Sequence, residues 1–317
     1  MKKLFTTVAF ASLALPAFAE TISLEDRNGR MVELDGKPEM VVCLLNRCAE
    51  EMAAIGIPIE NLAFGEPWTS NVALNPLNYG DAALDRPTVP QEPMDWEKVA
   101  ALEPDLIIGM TRQLDAAEQI APTYTLSWDD RDSNEAWFWD ARAYAKIFGL
   151  EDQVEPQVQA TIDRVAAYAA LSPKDRSIMV LNLISEDEIG LVNECDFFMS
   201  QVAPCIVDPE ADLDYVVSME FILNIDPDVI VIEDYNVEVQ GGVGKDEPLL
   251  SALADNVLWN ELSAVKAGNV HRVPVSQAKP NSLASIEATM DTLMPLAYPE
   301  VFPAALTDAE VAAALSN

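Results

Sequence analysis

Glu97 and Glu220 stand 123 residues apart (220 minus 97) in matching surroundings, "DWEKVAALEPDLIIG" and "SMEFILNIDPDVIVI". In each, a residue able to cap a helix is followed two places later by Glu, then a short apolar helical pattern, an acid-Pro-Asp and an aliphatic run. A carboxylate in the first turn of a helix favours the macrodipole without any partner; two in equivalent places can also meet two similar basic surfaces. Arg47 and Arg112 follow apolar runs in a chain where acids far outnumber bases, 53 against 19. A guanidinium there suits carboxylate or catecholate oxygens, or a salt bridge to a neighbouring acid. Four cysteines fall in two local pairs, Cys43/Cys48 and Cys195/Cys205. They fit disulfides of unassigned connectivity or buried thiols. The one histidine, His271, lies in a strand-like alternation, so a His-rich metal cage cannot be built. No G-x-S-x-G elbow and no P-loop spacing occurs, which leaves no catalytic constellation and no enzyme expectation.

The elements that must position these residues alternate strand and helix. Residues 1–19 read as a signal peptide: Lys2 and Lys3, an apolar run, then "AFA" before Glu20, with cleavage expected after Ala19. Without that leader, 17 basic residues face 53 acidic ones, a net charge of −36. This excludes nucleic acid as a partner. Residues 20–133 read as an N-terminal α/β lobe, opening with a hairpin whose turn is expected at Asp35-Gly36. Residues 134–172 carry helical patterns only, one over 134–150 and a long one beginning at Glu151. Residues 173–317 resume the α/β rhythm as a C-terminal lobe. In open α/β sheets ligands bind beyond the carboxyl ends of strands. That places Asn46, Arg47, Trp68, Met94, Arg112, Tyr235 and Lys279 as candidate ligand contacts.

With these phrases in order, the chain resembles the substrate-binding proteins of ABC importers, in the helical-backbone class that includes siderophore- and cobalamin-binding members. The phrases are "VVCLLNRCAEEMAAIGI", "WEKVAALEPDLIIG", the long helix, "SMEFILNIDPDVIVI", "LWNELSAVKAGNVHRVP" and "YPEVF". The resemblance implies an α/β fold of two doubly wound lobes, with central parallel sheets joined by one long α-helix. It implies a periplasmic monomer that binds a small molecule, without cofactor or resident metal, and docks on an ABC permease dimer through Glu97 and Glu220. The expected ligand is a ferric siderophore or similar iron chelate. Cobalamin, haem and a ligand-sensing role are the alternatives. "TVPQEPMD" lacks the Trp of cobalamin binders, and the second lobe lacks an Arg cluster, which keeps hydroxamate-type chelates beside catecholates.

Overall fold

Val41–Cys43, Leu106–Met110 and Val229–Asp234 are almost wholly buried runs with little polar alternation. Such runs make strands covered on both faces. A computed structural model describes residues 21–66, 79–91, 93–126, 133–185, 188–192, 197–207, 215–234, 246–279 and 281–316. The N-terminal lobe opens with β1 (Ile22–Glu25) and β2 (Met31–Leu34), a separate antiparallel hairpin. Its sheet holds β3 (Val41–Cys43), β4 (Leu62–Gly65), β5 (Thr88–Val89), β6 (Leu106–Met110) and β7 (Thr123–Leu126). The order is β5-β4-β3-β6-β7, and every pairing is parallel. Helices α1 (Asn46–Ala54), α2 (Trp96–Ala101) and α3 (Leu114–Ala117) connect them. The bridge is α4 (Asn134–Trp137), α5 (Trp139–Phe148) and α6 (Glu151–Leu171).

The C-terminal lobe runs β8 (Ile178–Leu183), β9 (Ile189–Leu191), α7 (Met199–Val202), β10 (Val216–Val217), α8 (Met219–Ile225) and β11 (Val229–Asp234). Then come α9 (Asp246–Asp255), α10 (Ser263–Ala267), β12 (Val270–Pro274), α11 (Leu283–Ala297) and α12 (Asp308–Leu315). The sheet order is β10-β9-β8-β11-β12. Its centre, β8-β11-β12, is parallel, as expected, but β9 and β10 pair antiparallel. Five residues separate β8 from β9. A parallel return needs a crossover of a dozen residues or more, so the chain can only fold back as a hairpin.

The repeated phrase is a repeated unit of structure. Asp95 Oδ1 accepts the Lys98 N–H at 2.9 Å and Ser218 Oγ accepts the Phe221 N–H at 3.1 Å, so each residue caps its helix. Each unit then leaves the helix through a left-handed residue before proline, Glu103 at φ +48° and Asp226 at φ +47°. The following aspartate staples the new strand to its neighbour. Asp105 Oδ2 accepts the N–H groups of Glu39 and Met40 at 2.8 and 3.0 Å. Asp228 Oδ2 accepts the Ser177 N–H and hydroxyl, both at 2.8 Å. Alanine at either aspartate is expected to cost about 1–2 kcal/mol, since the acceptor is charged but open to water. The two losses should add within about 0.5 kcal/mol, the sites lying in different lobes. Urea midpoints of the single and double variants check both.

Helix α6 spans 21 residues, about 32 Å. Val154, Val158, Thr161, Val165 and Tyr168 form its buried stripe. It packs on α5, α11 and α12. Arg164 reaches Asp291 of α11 at 2.9 Å and Asp308 of α12 at 3.1 Å. The Tyr168 hydroxyl donates to Asp291 at 2.7 Å and accepts the Leu306 N–H at 3.0 Å, which ties both C-terminal helices to the bridge.

Two expectations change. The hairpin turn is Asp26–Arg30, not Asp35-Gly36: Gly29 takes φ +73°, and Asp26 Oδ1 accepts the N–H groups of Asn28 and Arg30 at 2.9 and 3.0 Å. Gly29 supplies the positive φ at which this five-residue loop turns. The single helix expected over 134–150 is broken at Phe138 (φ −94°, ψ 8°), where Trp137 and Phe138 both turn onto the Phe198 ring.

Candidate ligand cleft and docking surfaces

Strands β3 and β12 hand the chain, at their C-terminal ends, toward α1 and α11. These helices meet. The buried Glu51 carboxyl of α1 lies near Leu283, the first residue of α11. The Trp137 and Phe198 rings make a second contact between the bridge and the C-terminal lobe, 4.7 Å between centroids. The C-terminal ends of the two central sheets therefore face one crevice, where loops after parallel strands gather.

On the N-terminal side, the chain leaves β3 through a disulfide between Cys43 and Cys48, Cα atoms 5.6 Å apart. Gln91 Nε2 donates to Leu44 O at 2.7 Å, holding the same connection from above. Asn46 is half-buried and donates to Glu50 Oε1 at 3.3 Å. Met94 is half-buried against the Val42–Leu44–Val89 cluster. Arg47 is not an exposed cation in the crevice wall. The first turn of α1 points it inward, 2% exposed, and its Nη2 lies 2.6 Å from Asp140 Oδ2 of α5. Asp140 is as buried, and accepts the Tyr124 hydroxyl at 2.8 Å.

Arg112 is different. It lies in the Thr111–Gln113 turn at the end of β6 and is exposed. Every other described arginine meets a carboxylate or a carbonyl oxygen. Among the described residues Arg112 has neither. Across the crevice, Lys279 is half-buried after β12, with no ion pair among the described residues. Gln277 and Asn281 are engaged locally: Gln277 Oε1 accepts the Thr292 hydroxyl at 3.2 Å, and the Asn281 N–H donates to Ser285 Oγ at 2.8 Å. Asn182 donates to the Tyr215 hydroxyl at 2.9 Å, and Tyr215 lies against Gly190. Arg272 is bound to Asp234. Trp68, Tyr235 and Cys195 lie outside the described residues. Cys205 is disulfide-bonded.

Sequence patterns missed Asn28, Glu51, Gln113 and Asp140. Asn28 meets Thr111 across 83 positions, and Asp140 meets Arg47 across 93. Local spacing carries no signal for either contact.

Burial pushes the Glu51 carboxyl up from 4.5 to about 8; Arg47 and the Leu283 N–H oppose the shift, and Asp140 and Glu50 add to it. Between those two values the folded protein holds a proton that the unfolded chain has lost. Stability therefore falls as pH rises across that window, by at most about 1.4 kcal/mol per pH unit, and levels off above it. Glu51→Gln is expected to flatten this slope, read from urea midpoints at pH 5 and pH 8.

Glu97 and Glu220 are exposed in the first turns of α2 and α8. Each helix leads directly into a parallel central strand and runs back against it. Both N-termini, and both glutamates, therefore lie toward the crevice end of their lobes.

The family model described as "Periplasmic binding protein" matches residues 76–275, more than half of the chain. The chain belongs to the periplasmic binding protein family. Periplasmic binding proteins of this class are non-enzymatic transport components with two lobes. Two relatives from Bacillus subtilis (strain 168) are similar over part of their length. The putative ABC transporter substrate-binding lipoprotein YhfQ is 27% identical over 199 residues, 56% of this chain and 58% of that protein. The petrobactin-binding protein YclQ is 28% identical over 190 residues, 56% and 57%. The matched region thus spans under three fifths of either relative. A crystal structure of a periplasmic binding protein from Veillonella parvula has the same fold, with TM-score 0.66 at 19% identity over 91% of this chain and 95% of that one. Among the described residues no helix is long and apolar enough to cross a membrane.

Proposed function

We propose that this periplasmic binding protein is the receptor of an ABC importer, capturing a ferric siderophore or similar iron chelate between its lobes and delivering it to a permease dimer. The observation that carries the reading is Arg112, exposed at the crevice edge with no acid or carbonyl among the described residues to hold it, in a chain of net charge −34. An unengaged guanidinium among so many carboxylates suits the oxygen atoms of an anionic chelate. Lys279 on the opposite wall adds a second cation of the same kind. YclQ, which binds petrobactin by its name, supports the ligand class. Arg47 drops out of the ligand set and Asn46, Met94 and Lys279 stay in it. On this reading residues 1–19 direct export and the mature chain begins at Glu20 in the periplasm. Glu97 and Glu220 meet one permease subunit each. The bridge helix α6, clamped by α11 and α12, keeps closure of the lobes small.

The test is tryptophan-fluorescence titration of the purified mature protein with ferric catecholate, hydroxamate and citrate chelates, and with cobalamin and haem. Sub-micromolar quenching by an iron chelate, weakened about tenfold or more in Arg112→Ala, is expected for a lost charge-assisted contact. Silence toward every iron chelate would overturn the assignment. Quenching by cobalamin or haem alone would redirect it.

A further inference from the structure

We propose that Asn28, in the turn of the N-terminal hairpin, is a positioning residue of the ligand site: its side chain fixes the Thr111–Gln113 turn and with it Arg112 at the crevice edge. The inference rests on the reading above that Arg112 meets the ligand. The hairpin is a separate two-stranded unit, and its turn reaches the carboxyl ends of β6 and β7. Asn28 Nδ2 donates to Thr111 Oγ1 at 3.0 Å and to Thr125 Oγ1 at 2.5 Å. One carboxamide thus joins the turn that follows β6 to strand β7.

The turn that presents this side chain is itself fixed. The Asp26 carboxylate takes the Arg30 guanidinium at 2.7 Å and the Thr125 hydroxyl, besides its two backbone N–H groups. Arg30 Nη2 also donates to Thr123 O at 3.0 Å. None of these contacts uses the Asn28 side chain, which is therefore dispensable to the hairpin. On the far side of Arg112, Gln113 Oε1 accepts the Met110 N–H at 2.9 Å. Gly109 leaves the room for it: a Cβ there would stand 2.8 Å from Gln113 Oε1. Residue 112 is held between two anchored side chains, one before it in space and one after it in sequence. Such ordering lowers the conformational cost of engaging a long side chain on ligand binding.

The experiment compares Asn28→Ala, Arg112→Ala and the double variant by fluorescence titration. The probes are a ferric triscatecholate, an anion, and a ferric trihydroxamate of neutral charge. Asn28→Ala is expected to weaken the anionic probe about fivefold, to change the neutral one less than about twofold, and to add nothing in the Arg112→Ala background, as for two residues acting as a unit. A loss of equal size in that background, or equal losses for both probes, would overturn the inference. A second arm needs no ligand. Amide hydrogen exchange at Thr111–Leu114 is expected to speed up about tenfold in Asn28→Ala, while exchange in the β3 and β11 amides stays at wild-type rates. Unchanged exchange at Thr111–Leu114 overturns the proposal whatever binds. If exchange responds and no chelate binds the wild type, the iron-chelate reading falls and Asn28 keeps its structural assignment to the Arg112 turn.

Discussion

Asp140→Ala is expected to destabilise the protein by about 3–5 kcal/mol, the cost of stranding a buried charge. Arg47 and Asp140 side chains are each 2% exposed and lie 2.6 Å apart. Alanine at 140 takes the Asp140 carboxylate away from the guanidinium, leaving Glu51, a carboxyl that burial keeps protonated, nearby, and strips the Tyr124 hydroxyl of its acceptor. A domain typically has about 5–15 kcal/mol to lose, so the variant should sit near the edge of folding. The paired change Arg47→Met with Asp140→Leu removes both charges together and should recover most of the loss, because the desolvation penalty disappears with the attraction. Urea unfolding of the three proteins measures it. A loss under about 1 kcal/mol in Asp140→Ala would mean that water reaches the pair and screens it.

On the proposed docking role, uptake should vanish when Glu97 and Glu220 are both alanine, while the purified double variant binds its ligand within about twofold of wild type, since both are exposed first-turn charges and such charges act on encounter with a partner. Both side chains are exposed, in the first turns of helices in separate lobes. Each loses only a first-turn charge of about 0.3–1 kcal/mol, too little to unfold either lobe. Iron-chelate uptake in cells and fluorescence titration of the protein are measured side by side. Weakened binding in the titration would assign the glutamates to the cleft, and full uptake would remove the docking role altogether.

What the sequence made legible is what short windows contain. The β6 and β11 runs, the α6 pattern and the caps at Asp95 and Ser218 are each set by residues within a few positions of one another. The acid-Pro-Asp ending was legible as a helix stop, but its aspartates act over longer range, on Met40 across 65 positions and on Ser177 across 51. Burial of Arg47 depends on α5, which arrives 93 residues later. A scarce cation after a strand looks the same in sequence whether it faces a ligand or an acid, and only the packing of α5 separates Arg47 from Arg112. Two features were within reach of local rules. Asn28-Gly29 is a stronger hairpin dipeptide than the position of Asp35-Gly36 allows, because four-residue strands flank it on both sides. The short β8–β9 connection dictated an antiparallel return.

That hairpin also sets a timetable. In the N-terminal sheet every pairing is parallel and closes over a long crossover, whereas Leu183 and Ile189 pair across six positions. Local contacts form before distant ones because less loop entropy is lost in making them. The second half of the chain should thus gain its first protected amides, in Ile178–Leu191, before β3 and β6 find each other. Pulse-labelled exchange during refolding would order the two events.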